Sequence, residues 1–219
     1  MTRKKSSETS SLHGNVAHRS AVALLLIDVI NDLEFPGAAR LRPHALKMAR
    51  AVARLKERAL AAGIPVVYVN DNFGIWKSDF RSVVEHCLKD EVCGAPITEL
   101  LAPGKDDYFV LKPKHSGFYS TTLDLLLQHL GAHTLILAGL AGNICVLFTA
   151  NDAYLRDYGL VVPSDCCASN TVEENRHALR QMKTVLKADT RPAAKIDLAS
   201  LARRPPVPGR PHPKGPRGD

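Results

Sequence analysis

The segment Ala21-Val-Ala-Leu-Leu-Leu-Ile27 decides the fold class, because an unbroken apolar run ends abruptly at Asp28. A strand that is buried on both faces has this pattern, whereas a strand with one exposed face alternates apolar and polar residues. Residues 21–27 therefore predict a central strand of a parallel sheet.

Apolar runs and helical periodicity alternate along the rest of the chain. Further strands are predicted at residues 65–69, 108–111, 134–138, 160–163 and 194–196, and helices at 43–62, 79–89, 121–130, 145–158 and 172–187. Strands that alternate with helices in this way form parallel sheets. The sequence predicts an α/β three-layer sandwich, in which a mostly parallel, six-stranded, Rossmann-like sheet has helices on both faces.

One domain is expected in this chain of 219 residues, which is too short for two comfortable α/β cores. Residues 1–20 lack periodicity, and residues 203–219 hold six of the fourteen prolines. We expect a disordered basic tail at 1–20, a single domain at 21–202 and a disordered Pro/Arg-rich tail at 203–219.

The formal net charge of +7 lies in the two tails. Residues 1–20 contribute +3 and residues 203–219 contribute +4, which leaves the body of the chain neutral. A neutral body does not present the basic face that binding to a phosphate backbone requires. The charge distribution therefore predicts no specific nucleic-acid partner.

Cysteine usage and hydropathy indicate the compartment. The five cysteines are an odd number, and the adjacent Cys166 and Cys167 are poorly placed for a mutual disulfide. No apolar segment has the length of a signal peptide or a membrane span. We expect a cytoplasmic protein with reduced thiols, without a membrane partner and without a structural zinc site.

Chemically reactive side chains follow several of the predicted strands. Asp28, Lys112 and Cys145 come after three of them, and ligands of parallel sheets bind beyond the carboxyl ends of the strands. Taken singly, these residues could be a turn cap, a solvated lysine and a buried thiol. Together they favour a reactive site, since a cation beside a thiol at a helix N-terminus lowers the thiol pKa.

Three segments carry a family resemblance: residues 24–32 (LLLIDVIND), 111–118 (LKPKHSGF) and 138–146 (AGLAGNICV). They resemble the signature segments of the isochorismatase-like cysteine hydrolases, a superfamily that includes nicotinamidases and N-carbamoylsarcosine amidase. The similarity extends from about Val22 to the region of Ile196. It implies the isochorismatase-like hydrolase fold and a homo-oligomer, either a homodimer or a homotetramer. We expect no cofactor.

The resemblance implies a catalytic triad of Asp28, Lys112 and Cys145. Asp28 would take the thiol proton, Lys112 would favour the charged carboxylate and thiolate, and Cys145 would attack a carbonyl carbon. Lys114 lies in the same segment, but Lys112 is the residue that matches the family motif. His115 is expected to be a local hydrogen-bonding residue without a necessary catalytic role.

The resemblance also makes two predictions about the backbone. The peptide between Leu140 and Ala141 should be cis, and the backbone N–H groups of Ala141 and Cys145 should form an oxyanion hole. Preorganised donors of this kind contribute about ten- to a thousandfold in rate.

The chain departs from the family after the second strand. Metal-binding nicotinamidases carry an Asp-x-His segment there, whereas this chain has Asn70-Asp-Asn-Phe-Gly-Ile-Trp76, and the next histidine is His86. We therefore predict no metal, which also disfavours nicotinamide as the substrate.

The pocket wall is expected to differ from that of many relatives, which have a glutamine in place of Ile30 and an aromatic residue in place of Leu33. For Trp76 and Phe118 a place in the core or in a subunit interface is an equal alternative. The side chains expected near the substrate are Asn31, Leu33, Asp71, Trp76, Phe118 and Tyr119.

The sequence therefore predicts a cysteine hydrolase that cleaves a carbon–nitrogen bond of a small amide or ureido compound through a thioester at Cys145. One alternative is an isochorismatase-type vinyl-ether hydrolase, although relatives with that activity lack the nucleophilic cysteine. The other is a non-catalytic binding protein that retains the fold.

Overall fold

The computed structural model describes residues 19–72, 74, 79–89 and 91–203. The two predicted tails lie outside the described residues, apart from residues 19, 20 and 203. The described part of the chain contains one parallel sheet with helices on both of its faces.

Six strands form the sheet, in the order β3-β2-β1-β4-β5, and β6 pairs with the end of β4. Every pairing is parallel, which confirms the predicted fold class. The strands are β1 (Val22–Ile27), β2 (Val66–Asp71), β3 (Tyr108–Lys112), β4 (Thr134–Leu140), β5 (Gly159–Val161) and β6 (Cys167–Ala168).

The connections between the strands are mostly helical. A single π-helical turn at Gly142–Val146 leads into α5, and a 3₁₀ turn at Ala193–Lys195 precedes α7. The helices are α1 (Ala38–Ala61), α2 (Phe80–Lys89), α3 (Ala95–Leu100), α4 (Leu123–Leu130), α5 (Leu147–Leu155), α6 (Val172–Thr184) and α7 (Leu198–Ala202).

Strand β1 supplies two hydrophobic cores, which explains its unbroken apolar sequence. Leu24 and Leu26 belong to the core on the α1 side of the sheet, and Leu25 and Ile27 belong to the core formed with α4, α5 and α6. All six residues of the strand are buried. Because alternate side chains of a strand point to opposite faces, both faces of this strand must be apolar.

Two predicted elements differ from the structure. Residues 194–196 were predicted as the sixth strand, but they lie in the 3₁₀ turn and the residue after it, and β6 takes that place in the sheet. A strand of two residues is too short to produce a readable pattern. Helix α1 begins at Ala38, so that Pro43 lies inside the helix and not in its first turn as predicted.

The carboxyl ends of β1 and β4 come into close backbone contact at Gly139. This residue has φ 129°, and a Cβ atom built on it would lie 2.0 Å from the carbonyl oxygen of Ile27. Only glycine fits such an approach without displacing backbone. The contact therefore fixes the start of the β4–α5 loop next to the end of β1.

Candidate active site

Asp28 is held firmly at the end of β1. Its backbone N–H donates to the carbonyl of Val69, and its Oδ1 accepts a hydrogen bond of 2.8 Å from the backbone N–H of Asp71. The residue has φ 51°, in the left-handed region that Asp tolerates better than most residues. The side chain is buried, so its carboxylate has a fixed position inside the protein.

Lys112 ends β3 and is fully buried, with 0% of its surface exposed. Its Nζ lies 2.8 Å from Oδ2 of Asp28 and 3.4 Å from Oδ2 of Asp71. A buried cation needs such partners, because removal from water without a counter-charge is costly. The single positive charge of Lys112 is therefore shared between two carboxylates at the carboxyl ends of β1 and β2.

Cys145 completes the cluster from the π-helical turn that follows β4. Its Sγ lies 3.6 Å from Nζ of Lys112 and is hydrogen-bonded to the Asp28 side chain. In this turn the N–H of Val146 donates to the carbonyl of Ala141, five residues earlier. Single π turns are frequent at functional sites, and this one places the thiol beside the carboxylate and the ammonium.

Burial and the charges of neighbouring groups act against each other on the pKa values of Asp28 and Lys112. It raises the pKa of Asp28, although Lys112 acts in the opposite direction. Burial alone would lower the pKa of Lys112, but the Asp28 carboxylate, with Cys145 and Asp71, outweighs it and raises that pKa. The site therefore keeps its lysine protonated at neutral pH.

The expected lowering of the thiol pKa by the neighbouring cation is wrong for the resting site. Burial and the Asp28 carboxylate together raise the pKa of Cys145 to about 12, and Lys112 offsets only part of this. At neutral pH the sulfur is therefore protonated, with the Asp28 side chain within hydrogen-bonding reach. This state suits proton transfer from the thiol to Asp28 during a reaction more than a preformed thiolate.

The substitution Asp28→Asn is expected to make Cys145 easier to ionise. Burial and the Asp28 carboxylate raise the thiol pKa and Lys112 lowers it, so removal of the carboxylate leaves burial alone to oppose the cation. The pH midpoint for alkylation of Cys145 by iodoacetamide should fall by about 1 to 3 units. Mass spectrometry of the Cys145 peptide after timed alkylation across a pH series measures this midpoint.

The substitution Lys112→Met is the opposite case, and it should slow alkylation of Cys145 at every pH. The exposed thiol of Cys93 serves as an internal control whose alkylation should be unchanged in both variants. Identical Cys145 profiles in the wild type and both variants would contradict this electrostatic description of the site.

The predicted cis peptide between Leu140 and Ala141 is wrong, since this bond is trans. A trans bond is the ordinary state of a non-proline peptide, favoured by about 2.5 to 4 kcal/mol. Ala141 has extended backbone dihedrals, and its carbonyl accepts from the N–H groups of both Ile144 and Val146. The oxyanion hole of Ala141 and Cys145 amides stays a prediction.

The structure places the predicted pocket residues in different environments. Asp71 lies within the cluster, beside Lys112. Asn31 accepts from the backbone N–H of Leu33 and so shapes the loop after β1. Tyr119 is 58% exposed, and Trp76 lies outside the described residues.

Two of the predicted pocket residues belong to the hydrophobic core. Leu33 is 4% exposed and packs in the core on the α1 side of the sheet. Phe118 is 5% exposed, with its ring against Tyr158 and the guanidinium group of Arg156. Both side chains bury apolar surface in the core, and their expected place near the substrate stays a prediction.

His115 lies beside the thiol, although the sequence predicted only a local hydrogen-bonding role for it. Its Nδ1 lies 3.9 Å from Sγ of Cys145, and its ring packs against the exposed ring of Phe148 at 5.4 Å between centroids. The imidazole of His115 therefore lies between the thiol and an exposed aromatic ring that packs against it. Proximity in the 111–118 segment was visible in the sequence, but the direction of the side chain was not.

The contacts that hold the loop carrying Cys145 were also not predicted from the sequence. Ser169 accepts from the backbone N–H of Asn143 and donates to Oδ1 of Asn175. A Cβ atom at Gly142 would lie 2.2 Å from that same Oδ1, so loop and α6 are in tight contact. Ser and Asn at these positions carry no readable sequence signal, because their roles depend on packing between distant segments.

The described residues do not bring three or more His, Cys, Asp or Glu side chains together as a metal site would. At the end of β2 the amide of Asn70 is engaged with the backbone of Ile30, and Asp71 faces Lys112. Within the part of the chain that the structure describes, no helix combines the length and apolar character needed to cross a bilayer.

The parallel sheet, with a carboxylate, an ammonium and a thiol in contact at its edge, places the chain among the hydrolases of doubly wound α/β fold. The sequence matches the model of the Isochorismatase domain over residues 22–190. The chain belongs to the isochorismatase family, which confirms the resemblance noted from its three segments.

Individual relatives agree with this assignment. The chain is 43% identical over 167 residues to the uncharacterized isochorismatase family protein YaaI of Bacillus subtilis, covering 76% of this chain and 91% of that protein. It is 31% identical over 193 residues to ureidoacrylate amidohydrolase RutB of Methylobacterium radiotolerans, covering 74% of this chain and 72% of that protein.

The crystal structure of N-carbamoylsarcosine amidase from Thermoplasma acidophilum has a similar fold. It superimposes with a TM-score of 0.63 at 30% sequence identity, covering 80% of this chain and 98% of that one.

Proposed function

We propose that this chain hydrolyses a carbon–nitrogen bond in an amide or ureido group of a small molecule, with Cys145 as the nucleophile. The observation that carries the proposal is the buried Lys112, which lies 2.8 Å from the Asp28 carboxylate and 3.6 Å from the Cys145 sulfur. Similarity to a ureidoacrylate amidohydrolase and to N-carbamoylsarcosine amidase supports the choice of bond.

The first half of the proposed reaction forms a thioester. Asp28 accepts the thiol proton of Cys145 while the sulfur attacks the substrate carbonyl carbon, and the carbonyl π electrons move onto its oxygen. The Lys112 ammonium favours the thiolate as it develops. When the carbonyl re-forms, the carbon–nitrogen bond breaks, and Asp28 returns its proton to the departing nitrogen.

The second half restores the enzyme. Asp28, again a carboxylate, takes a proton from water as the water oxygen attacks the thioester carbon, and the carbon–sulfur bond breaks. The proton returns from Asp28 to the sulfur of Cys145. One amide and one water thus give one acid and one amine, with all three residues back in their resting state.

We propose that the backbone N–H groups of Ala141 and Cys145 stabilise the oxyanion in both halves. The amide of Cys145 lies in the first turn of the helical segment, where N–H groups lack an intrahelical acceptor. Such donors point toward a developing negative charge without needing to reorganise.

We also propose that the enzyme is a homodimer or homotetramer in the cytoplasm and that it has no bound cofactor. All five cysteines are free thiols, which fits a reducing compartment. Light scattering of the purified chain measures the subunit number, and a monomer at all concentrations would contradict the proposed assembly.

A panel of primary amides, N-carbamoyl compounds and vinyl ethers tests the activity. We expect release of ammonia or amine from at least one amide or ureido compound, and no hydrolysis of the vinyl ethers. Turnover of vinyl ethers alone would favour the isochorismatase-type reaction. A folded protein that binds compounds of the panel and hydrolyses none would favour a non-catalytic role.

Hydrolysis is expected to persist in excess chelator. The proposed steps need only the carboxylate, ammonium and thiol, and the sequence lacks the histidines that metal-binding relatives carry after β2. Steady-state rates before and after exhaustive treatment with EDTA, with metal content measured by mass spectrometry, check this. A rate that falls with metal content and returns on addition of one metal would contradict the prediction.

A further inference from the structure

A groove lined by both apolar and polar side chains lies between α1 and residues 164–175, beside the loop that carries Cys145. Its volume is about 480 Å³, within the range of small-molecule sites of about 300–1,000 Å³. Helix α1 contributes His44, Lys47 and Arg54 to one wall. Spacings of three and seven residues place these side chains on the same face of the helix.

These three side chains have no hydrogen-bond or ion-pair partner among the residues that the structure describes. Lys56 and Arg191, by contrast, are paired with Asp107 and Asp189. The body of the chain is neutral overall, so Lys47 and Arg54 concentrate positive charge on this wall of the groove. It creates a positive potential that attracts anions.

The opposite wall adds polar groups and a single carboxylate. Asp165 carries that carboxylate, and its Oδ1 accepts a hydrogen bond of 2.8 Å from the backbone N–H of Ala193. Hydroxyl and amide side chains make up most of the remaining polar lining: Ser164, Ser169, Thr171 and Asn175. The groove as a whole therefore carries net positive charge and several hydrogen-bonding groups.

We propose that this groove is a second binding site, for a small molecule that carries a doubly charged oxyanion group. The planar fork of Arg54 and the compact charge of Lys47 are the groups with which proteins bind phosphate and carboxylate oxygens. A phosphate monoester and a dicarboxylate share this chemistry. The site is separate from the cluster of Asp28, Lys112 and Cys145, and it does not depend on the proposed reaction.

The groove shares two residues with the contacts that hold the loop carrying Cys145. Ser169 and Asn175 line it, and the same Ser169 hydroxyl accepts from the backbone N–H of Asn143. An anion bound there would contact the residues that hold the loop in place.

Isothermal titration calorimetry tests the proposal. The probes are phenyl phosphate, inorganic phosphate and succinate, each titrated at low ionic strength. The double variant Lys47→Gln/Arg54→Gln should bind the preferred probe about tenfold more weakly or worse, because charge-assisted hydrogen bonds to both side chains are lost. The control Arg40→Gln/Arg50→Gln removes the same charge from exposed positions of α1 outside the groove and should bind as the wild type does.

The three probes distinguish the two sources of the anionic group. Saturable binding of phenyl phosphate or phosphate, but not succinate, identifies a phosphate site, and the reverse identifies a carboxylate site. The proposal is overturned if the wild type binds none of the probes, or if both double variants lose binding equally. Melting temperatures of the variants confirm that each is folded.

Discussion

Replacement of Cys145 by alanine should reduce hydrolysis of the best amide of the panel by about a thousandfold or more. The account gives this sulfur the bond-forming step, and no other side chain of the cluster can form a thioester. Asp28 and Lys112 would remain paired at 2.8 Å, so the variant should fold and melt as the wild type does. Initial rates of ammonia release measure the loss.

The variant Cys93→Ala is the matched control, since it removes an exposed thiol that lies outside the cluster. It should retain full activity. Substantial activity in Cys145→Ala would exclude the covalent mechanism and leave direct attack by water. Loss of activity in both variants would point to oxidation or misfolding of the preparation, which mass and melting measurements distinguish.

Gly139→Ala should destabilise the fold by about 3 kcal/mol or more. The new methyl group would lie 2.0 Å from the carbonyl oxygen of Ile27, and φ 129° is rarely adopted by residues with a side chain. Two backbones of the central sheet would have to separate, because neither partner is a flexible side chain. Urea unfolding followed by circular dichroism measures the free energy of unfolding.

Gly131→Ala separates the two causes of that loss. Gly131 also has positive φ, at 75°, but a Cβ atom there would meet no atom within 4 Å. Gly131→Ala should lower the free energy of unfolding by about 1 kcal/mol, from backbone strain alone. Equal losses in the two variants would show that the contact with Ile27 is unimportant.

Much of the fold could be predicted from the sequence because buried parallel strands have a strong signal. The apolar run at 21–27 must fill two cores, and no other element of a soluble domain requires that pattern so strictly. Strand β6 could not be predicted, since it spans two residues and exists only because β4 extends beyond β5. Its position depends on contacts between distant segments.

Part of the site could also be predicted, because the strands that carry it could be recognised in the sequence. The sheet positions residues at or soon after the carboxyl ends of its strands, and Asp28, Lys112 and Cys145 all lie at such places and come together there. Phe118 and His115 lie in one short loop, yet Phe118 is turned into the core and His115 toward the thiol. Side-chain direction in loops depends on packing, which the sequence pattern does not encode.

The pKa of the Cys145 thiol depends on burial as well as on the charges of its neighbours. A cation beside the thiol predicts a lowered pKa, but the structure adds desolvation and a carboxylate that act in the opposite direction. The account therefore requires Asp28 as the proton acceptor, and Lys112 acts through charge.

The most direct test of the central claim is to find where an activated acyl group becomes attached. With 4-nitrophenyl acetate, acylation should outpace hydrolysis of the thioester, and rapid acid quenching followed by peptide mass spectrometry locates the acetyl group. We predict acetylation of Cys145 in the wild type, and no acetyl group on this segment in Cys145→Ala. Acetyl groups on Cys93 or on lysines, with Cys145 unmodified while 4-nitrophenol is released, would contradict it.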